Sequence, residues 1–171
     1  MKFGWLLVFV LGAAVAKPAS AQVSVYADLS ASKLTGGLGT QTTNVLYGPT
    51  IGLTARIAGN KHLNLSGDVR TGFYQHSAGL DEVAFGPKVG FAVKKFEPYA
   101  EVLVGFGRYN DPNHAASTDA QMEVNCGLDW KRPGRIDWRV FEYGYQQYYG
   151  NGGEFNPKTF STGLVFHLGK R

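Results

Sequence analysis

Tyr47-Gly48-Pro49-Thr50-Ile51-Gly52-Leu53-Thr54-Ala55-Arg56 is answered 38 residues later by Phe85-Gly86-Pro87-Lys88-Val89-Gly90-Phe91-Ala92-Val93-Lys94. Aromatic, Gly, Pro, polar, β-branched, Gly, apolar, small, apolar and basic positions recur in order. In both copies apolar side chains alternate with Gly or polar ones, the period of a β-strand with one greasy and one wet face. The offset is that of two strands plus two connections, so the repeating unit is a strand pair. The match fades outside these strands, which predicts a meander and not a solenoid.

Working outward, eight segments show the same alternation, near 23–34, 46–57, 62–74, 83–94, 98–109, 119–130, 135–148 and 158–169. Each has about the 9–11 residues that a tilted strand needs to cross a bilayer, or slightly more. Long 3.6-period stripes and helix-capping patterns are absent. Three connections are short: Ala58-Gly59-Asn60-Lys61, Lys95-Phe96-Glu97 and Lys131-Arg132-Pro133-Gly134. Four are longer and turn-rich: 35–45, 75–82, 110–118 and 149–157. Short turns at one end and long loops at the other describe an up-and-down barrel, and in outer-membrane barrels the short turns face the periplasm.

The N-terminus reads as an export signal. Lys2 precedes a nearly all-apolar run from Trp5 to Val15, and Ala19-Ser20-Ala21 is an A-x-A cleavage site before Gln22. The run is too short to span ~30 Å of hydrocarbon as a helix. Residues 1–21 are thus expected to be a signal peptide and residues 22–171 a single barrel domain. With Lys2 and Lys17 in the leader, the mature chain keeps 15 basic and 13 acidic residues. So small an excess gives no case for a nucleic-acid partner. The single cysteine, Cys126, has no partner for an internal disulfide.

One face of each segment is greasy. Tyr47, Pro49, Ile51, Leu53 and Ala55 oppose Gly48, Thr50, Gly52, Thr54 and Arg56. Met122, Val124, Cys126, Leu128 and Trp130 oppose Gln121, Glu123, Asn125 and Asp129. Alternation alone fits a soluble barrel with an apolar core or a membrane barrel with the faces inverted. Export, Tyr and Trp near strand ends and long strands favour the membrane.

The chain resembles the small bacterial outer-membrane protein β-barrel domain family, akin to the OmpA-type transmembrane domain. The residues that carry the resemblance are the leader, Gly48-Pro49 and Gly86-Pro87, Glu97-Pro98-Tyr99-Ala100-Glu101, and the closing strand Phe160-Ser161-Thr162-Gly163-Leu164-Val165-Phe166. The resemblance implies an all-β, eight-stranded antiparallel transmembrane barrel, monomeric, in the outer membrane. Its implied partners are outer-membrane lipid and the barrel-insertion machinery, which would read Phe166 or Leu168 in the C-terminal strand. It implies a structural or surface-interaction role and no cofactor.

An eight-stranded barrel has an interior that side chains can fill. The inward faces collect Arg56, Asp68, Arg70, Lys88, Lys94, Glu101, Glu123, Asp129 and Arg139. Charges in a closed lumen must be paired or hydrated, so Glu101 and Glu123 are expected to meet Lys88, Arg56 or Arg139. Such a network plugs the barrel; the alternative is a narrow pore for small solutes. A soluble barrel holding a small hydrophobic ligand is the second alternative. Arg139 and Glu142 cannot both point inward under strict alternation, which predicts a β-bulge in the seventh strand.

Catalytic signals are weak. His114, Ser117 and Asp119 share a loop, but co-occurrence is not geometry, and the adjacent His76 and Ser77 would point apart on a strand. His114 with Asp111 and Asp119 lacks a recognisable metal-ligand spacing. Gly36-Gly37-Leu38-Gly39 precedes a strand and not a helix, so it is no phosphate cradle. Cys126 is expected to face lipid as a small hydrophobe. No catalytic, cofactor or metal residue is assigned. The long loops, with Tyr74, Tyr109, Tyr148 and Tyr149 at their bases, offer a surface for an extracellular ligand.

Overall fold

A computed structural model describes residues 22–35, 45–76, 78–111, 114–150 and 156–169. The expected leader, residues 1–21, lies outside them, as does Gly36-Gly37-Leu38-Gly39. Eight strands run β1 (Val23–Lys33), β2 (Val45–Gly59), β3 (Leu63–Gln75), β4 (Gly79–Phe91), β5 (Phe96–Asp111), β6 (His114–Trp130), β7 (Ile136–Tyr149) and β8 (Lys158–His167). Each pairs antiparallel with the next, and β8 returns to β1 through Ser24↔His167 to Lys33↔Lys158, closing the barrel.

The faces are inverted relative to a soluble protein. Along β1, Ser24, Tyr26, Asp28, Ser30 and Ser32 are buried in the lumen, while Leu29 is 74% exposed. Ile51, Val69, Phe85, Val104, Val124 and Leu164 also face outward. A polar interior inside an apolar skin is the arrangement of a transmembrane barrel and excludes the soluble, apolar-cored alternative. At the turn end the skin carries Phe91, Phe96, Trp130 and Trp138. The two Trp rings lie 6.0 Å apart, and His62 stacks on Phe91 at 6.5 Å. Towards the loop end it carries Tyr47, Tyr145, Tyr149 and Phe160. Aromatics at both rims suit the two membrane interfaces.

The repeated Gly-Pro has a structural reason. Pro donates no backbone hydrogen bond. The β2–β3 register skips Gly48 and Pro49, and the β4–β5 register skips Gly86 and Pro87. At these skips the neighbouring strand comes in so close that a Cβ on Gly48 would overlap the Phe73 carbonyl and one on Gly86 the Val102 carbonyl. The second glycine of each copy makes room in the lumen: Gly52 lies against the Tyr26 ring and Gly90 against the Glu97 side chain.

Two of the four expected long loops are mostly strand. β3 and β4 pair out to Gln75↔Gly79, and β5 and β6 out to Asp111↔His114. These segments read as loops because their residues are polar, but above the bilayer both faces of a ribbon are wet and polarity does not end pairing. With 16 and 17 residues, β5 and β6 exceed the crossing length by about six residues. They form a ribbon beyond the membrane, where Ser117 Oγ donates to Asp119 Oδ2 at 2.7 Å.

Candidate functional site

The lumen is organised around two arginines. Alternation on β3 points Asp68 and Arg70 inward. Arg70 Nη1 donates to Glu142 Oε1 at 2.7 Å, and Nη2 donates to Glu142 Oε2 at 3.2 Å and to Glu101 Oε1. Its Nε reaches Asp68 Oδ1 at 3.5 Å, and Glu123 Oε1 lies 3.6 Å from Nη1. Arg139, 0% exposed, donates from Nη1 to Asp28 Oδ2 at 2.8 Å and from Nε to Asp129 Oδ1 at 3.2 Å. Glu142 Oε2 lies 3.3 Å from Arg139 Nη1, so one carboxylate joins both guanidinium groups.

Tyrosines complete this layer. Tyr99 donates its hydroxyl to Glu142 at 2.6 Å and Tyr26 to Asp68 at 2.7 Å. Arg139 stacks over the Tyr26 ring at 4.2 Å, and the Lys88 ammonium sits 3.4 Å above the Tyr99 ring. Lys88 is also 4.0 Å from Glu101 and from Asp129. Rings over cations and charge-assisted hydrogen bonds replace the water that buried ions give up.

Strict alternation could not place Arg139 and Glu142 together; a bulge does. Arg139 pairs with Gly163 and Glu142 with Ser161, three residues against two, and Val140 and Phe141 both stay out of the lumen. A matching irregularity lies between Leu128 and Asp129 on β6. The extra residue resets the inward phase of β7, so both charges are buried.

Towards the loops the character changes. Glu82 accepts hydrogen bonds from Tyr74 at 2.8 Å, Tyr148 at 3.2 Å and Gln146 Nε2 at 2.9 Å. The same two tyrosines pack with Leu46 and Leu80, and Leu34, Ala78 and Tyr109 lie against that cluster. The result is an apolar stopper over a charged core. At the turn end Ser24 Oγ lies 2.8 Å from His167 Nδ1, and His167 Nε2 lies 2.7 Å from Asp137 Oδ2. Asp137 Oδ1 also accepts the Arg132 backbone N–H at 2.9 Å. Glu97 pairs with Lys131 and accepts from Asn64 Nδ2 at 3.4 Å.

Of the residues singled out from the sequence, Asp68, Arg70, Lys88, Glu101, Glu123, Asp129 and Arg139 are buried in the lumen. Arg56 lies at its turn-end rim, donating to Gln22 Oε1 at 3.3 Å and to the Asn60 carbonyl at 3.1 Å. It does not reach Glu101 or Glu123. Lys94 is a correction. β4 stops at Phe91, and Lys94 takes a positive φ of 55° in the turn to β5, exposed to solvent. The expected strand ran three residues too far because Ala92, Val93 and Lys94 match the small, apolar and basic positions that close the first copy of the repeat, where Ala55 and Arg56 are still strand. Glu101 turns to Arg70, not to Arg56 or Arg139.

Asp28, Glu82, Glu142 and the four buried tyrosines escaped the inward list. Asp28 had a clear signal, since Ser24, Tyr26, Asp28, Ser30 and Ser32 alternate without a break. Tyr74 and Tyr148 close the lumen from within and do not form a recognition surface; Tyr149 alone of the four loop-base tyrosines is exposed. Cys126 faces outward. Ser77 and the His114 side chain lie outside the described residues. Among the described residues no group of three His, Cys, Asp or Glu could hold a metal ion.

No family model matches the chain, and no curated protein matches it. Solved structures do. The barrel is similar to Neisserial surface protein A, with a TM-score of 0.61 and 18% identity over 87% of this chain and 99% of that one. It is similar to the N-terminal β-barrel domain of Pseudomonas aeruginosa OprF, with a TM-score of 0.53 and 14% identity over 86% of this chain and 100% of that one. It is also similar to the outer membrane enzyme PagL, with a TM-score of 0.52 and 15% identity over 84% and 98%. The chain therefore has the fold of bacterial outer-membrane eight-stranded barrels, a fold that carries both enzymatic and non-enzymatic proteins.

Proposed function

We propose that the chain is exported by its first 21 residues and resides in the outer membrane as a non-conducting, non-enzymatic barrel with a structural or surface-interaction role. The observation that carries this reading is the lumen. Arg70 and Arg139, joined through Glu142, span the interior from β3 to β7 and from β7 to β1, below a stopper of Tyr74, Tyr148, Leu46 and Leu80. A bore occupied this way holds no column of water for a solute. Interaction is left to the outside: the wall in lipid and the loop end with its β5–β6 ribbon, the place for an extracellular ligand. The insertion machinery would engage Phe166 on β8 or Leu168 just past its end. Reconstituted in planar bilayers, the protein should leave the membrane resistance unchanged; steady unitary currents would establish the narrow-pore alternative.

A second reading rests on Ser24, His167 and Asp137. A Ser–His–Asp hydrogen-bond chain is also the order used in acyl transfer. Ser24 is buried and the chain joins three strands of the closure, so we read it as a clasp. Hydrolysis of a chromogenic ester by the refolded protein, abolished in Ser24→Ala, would overturn that.

A further inference from the structure

We propose that the outer wall at the loop end, over the β1–β8 seam, binds the phosphate of a lipid headgroup through Lys33 and Lys158. The two lysines are direct cross-strand partners, the last pair of the seam. Ser32 and Thr159 beside them point into the lumen, so both lysines point outward, and both are exposed. Opposed residues hold their Cβ atoms about 5 Å apart, and like charges so placed destabilise a sheet. Among the described residues neither lysine has an ion-pair partner. The other outward cation at this end of the barrel, Arg108, is opposed by Asp81 across β4 and β5. Lys131, at the far end, is paired with Glu97. Among the described residues, the seam lysines thus differ from these in having no facing acid.

The surroundings select the ligand. One step down the strands towards the bilayer centre, Ala31 lies between Phe160 on β8 and Tyr47 on β2. Both rings are outward and more than half exposed, so the small alanine leaves a notch between two lipid-facing aromatics. Tyr145 faces Lys158 from β7. Two ammonium groups stand at the polar rim of an apolar wall, where lysine stems lie along the hydrocarbon and their heads reach the interface. A phosphate at headgroup depth bridges both, and the acyl chain below it fills the Ala31 notch. The site opens sideways into the bilayer and has no concave floor, which favours a membrane-borne phosphate over a free one. In an outer membrane, the leaflet at the loop end is built of phosphorylated glycolipid.

The proposal rests on the bilayer-spanning, loops-outward reading, and the experiment separates the two. The mature chain is placed in phosphatidylcholine nanodiscs containing a minor fraction of diphosphorylated lipid A, and the lipid retained after detergent exchange is measured by native mass spectrometry. Wild type should retain lipid A. A Lys33→Ser, Lys158→Ser double variant should retain about 30-fold less, each lysine near a membrane surface being worth roughly a factor of five. The Lys33→Arg, Lys158→Arg variant should bind as wild type does. Lys61→Ser, Lys95→Ser, at the other end, should change nothing. Inorganic phosphate should not compete. Equal retention by the seam and turn-end variants, or full competition by inorganic phosphate, would overturn the site. Failure to enter nanodiscs at all would overturn the membrane reading. Heat-modifiable gel mobility shows that each variant is folded.

Discussion

Arg139 and Glu142 lie three residues apart on one strand and still meet inside the barrel, Nη1 to Oε2 at 3.3 Å. The bulge at Val140 makes this geometry, and Glu142 uses it to serve Arg139 and Arg70 at once. Glu142→Gln removes the shared charge and leaves two buried guanidinium groups undercompensated. A loss of about 3 kcal/mol or more is expected, the usual result of taking one partner from a buried pair. The urea midpoint of the refolded barrel in detergent measures it. A loss under 1 kcal/mol would mean that lumenal water carries the compensation instead.

Removing the arginines should do more than destabilise. Buried carboxylates on β1, β3, β4, β5, β6 and β7 surround Arg70, Lys88 and Arg139, the buried cations among the described residues. An Arg70→Ala, Arg139→Ala variant therefore keeps the acids and loses the struts. It should pass small cations and reject anions, seen as a reversal potential under a salt gradient. An unchanged, silent membrane would place the seal in the Tyr74–Tyr148 stopper and not in the ion pairs.

The Ser24–His167–Asp137 chain links β1, β8 and β7 beside the closure. A carboxylate can only accept, so Nε2 of His167 carries its hydrogen towards Asp137. With the ring neutral, Nδ1 then accepts from Ser24. Ser24→Ala should cost about 1 kcal/mol, a typical net hydrogen bond. Combined with His167→Ala, the two effects should fall short of their sum by a similar amount in a double-mutant cycle. Strict additivity would remove the clasp.

The glycines give a paired test. Gly86 has no room for a Cβ beside the Val102 carbonyl, whereas the nearest atom to a Cβ on Gly67 is Ile57 Cδ1 at 3.7 Å. Gly86→Ala should destabilise by about 1–3 kcal/mol through overpacking. Gly67→Ala should stabilise by about 0.5 kcal/mol, because alanine suits a strand better than glycine. Equal effects would show that the β4–β5 skip is soft.

The repeat around Tyr47 and Phe85 and the alternation of the other six segments were enough to read eight strands, their order and their outward faces. Period-2 patterning is strong where one face meets lipid and the other meets charge. It fails where both faces meet water. The described residues of the 75–82 and 110–118 segments are mostly paired ribbon, and Lys94 is a turn residue that the repeat places at a strand position. The lumen was legible as a set of charges but not as a set of pairs. Which acid meets which base depends on bulges and on strands distant in sequence. Arg70 takes Glu142 from 72 residues away, and Arg139 takes Asp28 from 111 away. No local pattern encodes those distances.

Those separations bear on how the barrel is made. A single hairpin of this chain cannot satisfy its own interior. β1 brings Asp28 without Arg139, β3 brings Arg70 without Glu101 or Glu142, and β7 brings Arg139 without Asp28. Any of these pieces entering hydrocarbon alone would carry a naked charge, the costliest cargo in a membrane. Both arginines have their full set of partners only when the last strands reach the first. Closure of the sheet and its descent into the bilayer are thus expected to be one all-or-none event, in which the two ends of the chain meet as the barrel enters hydrocarbon.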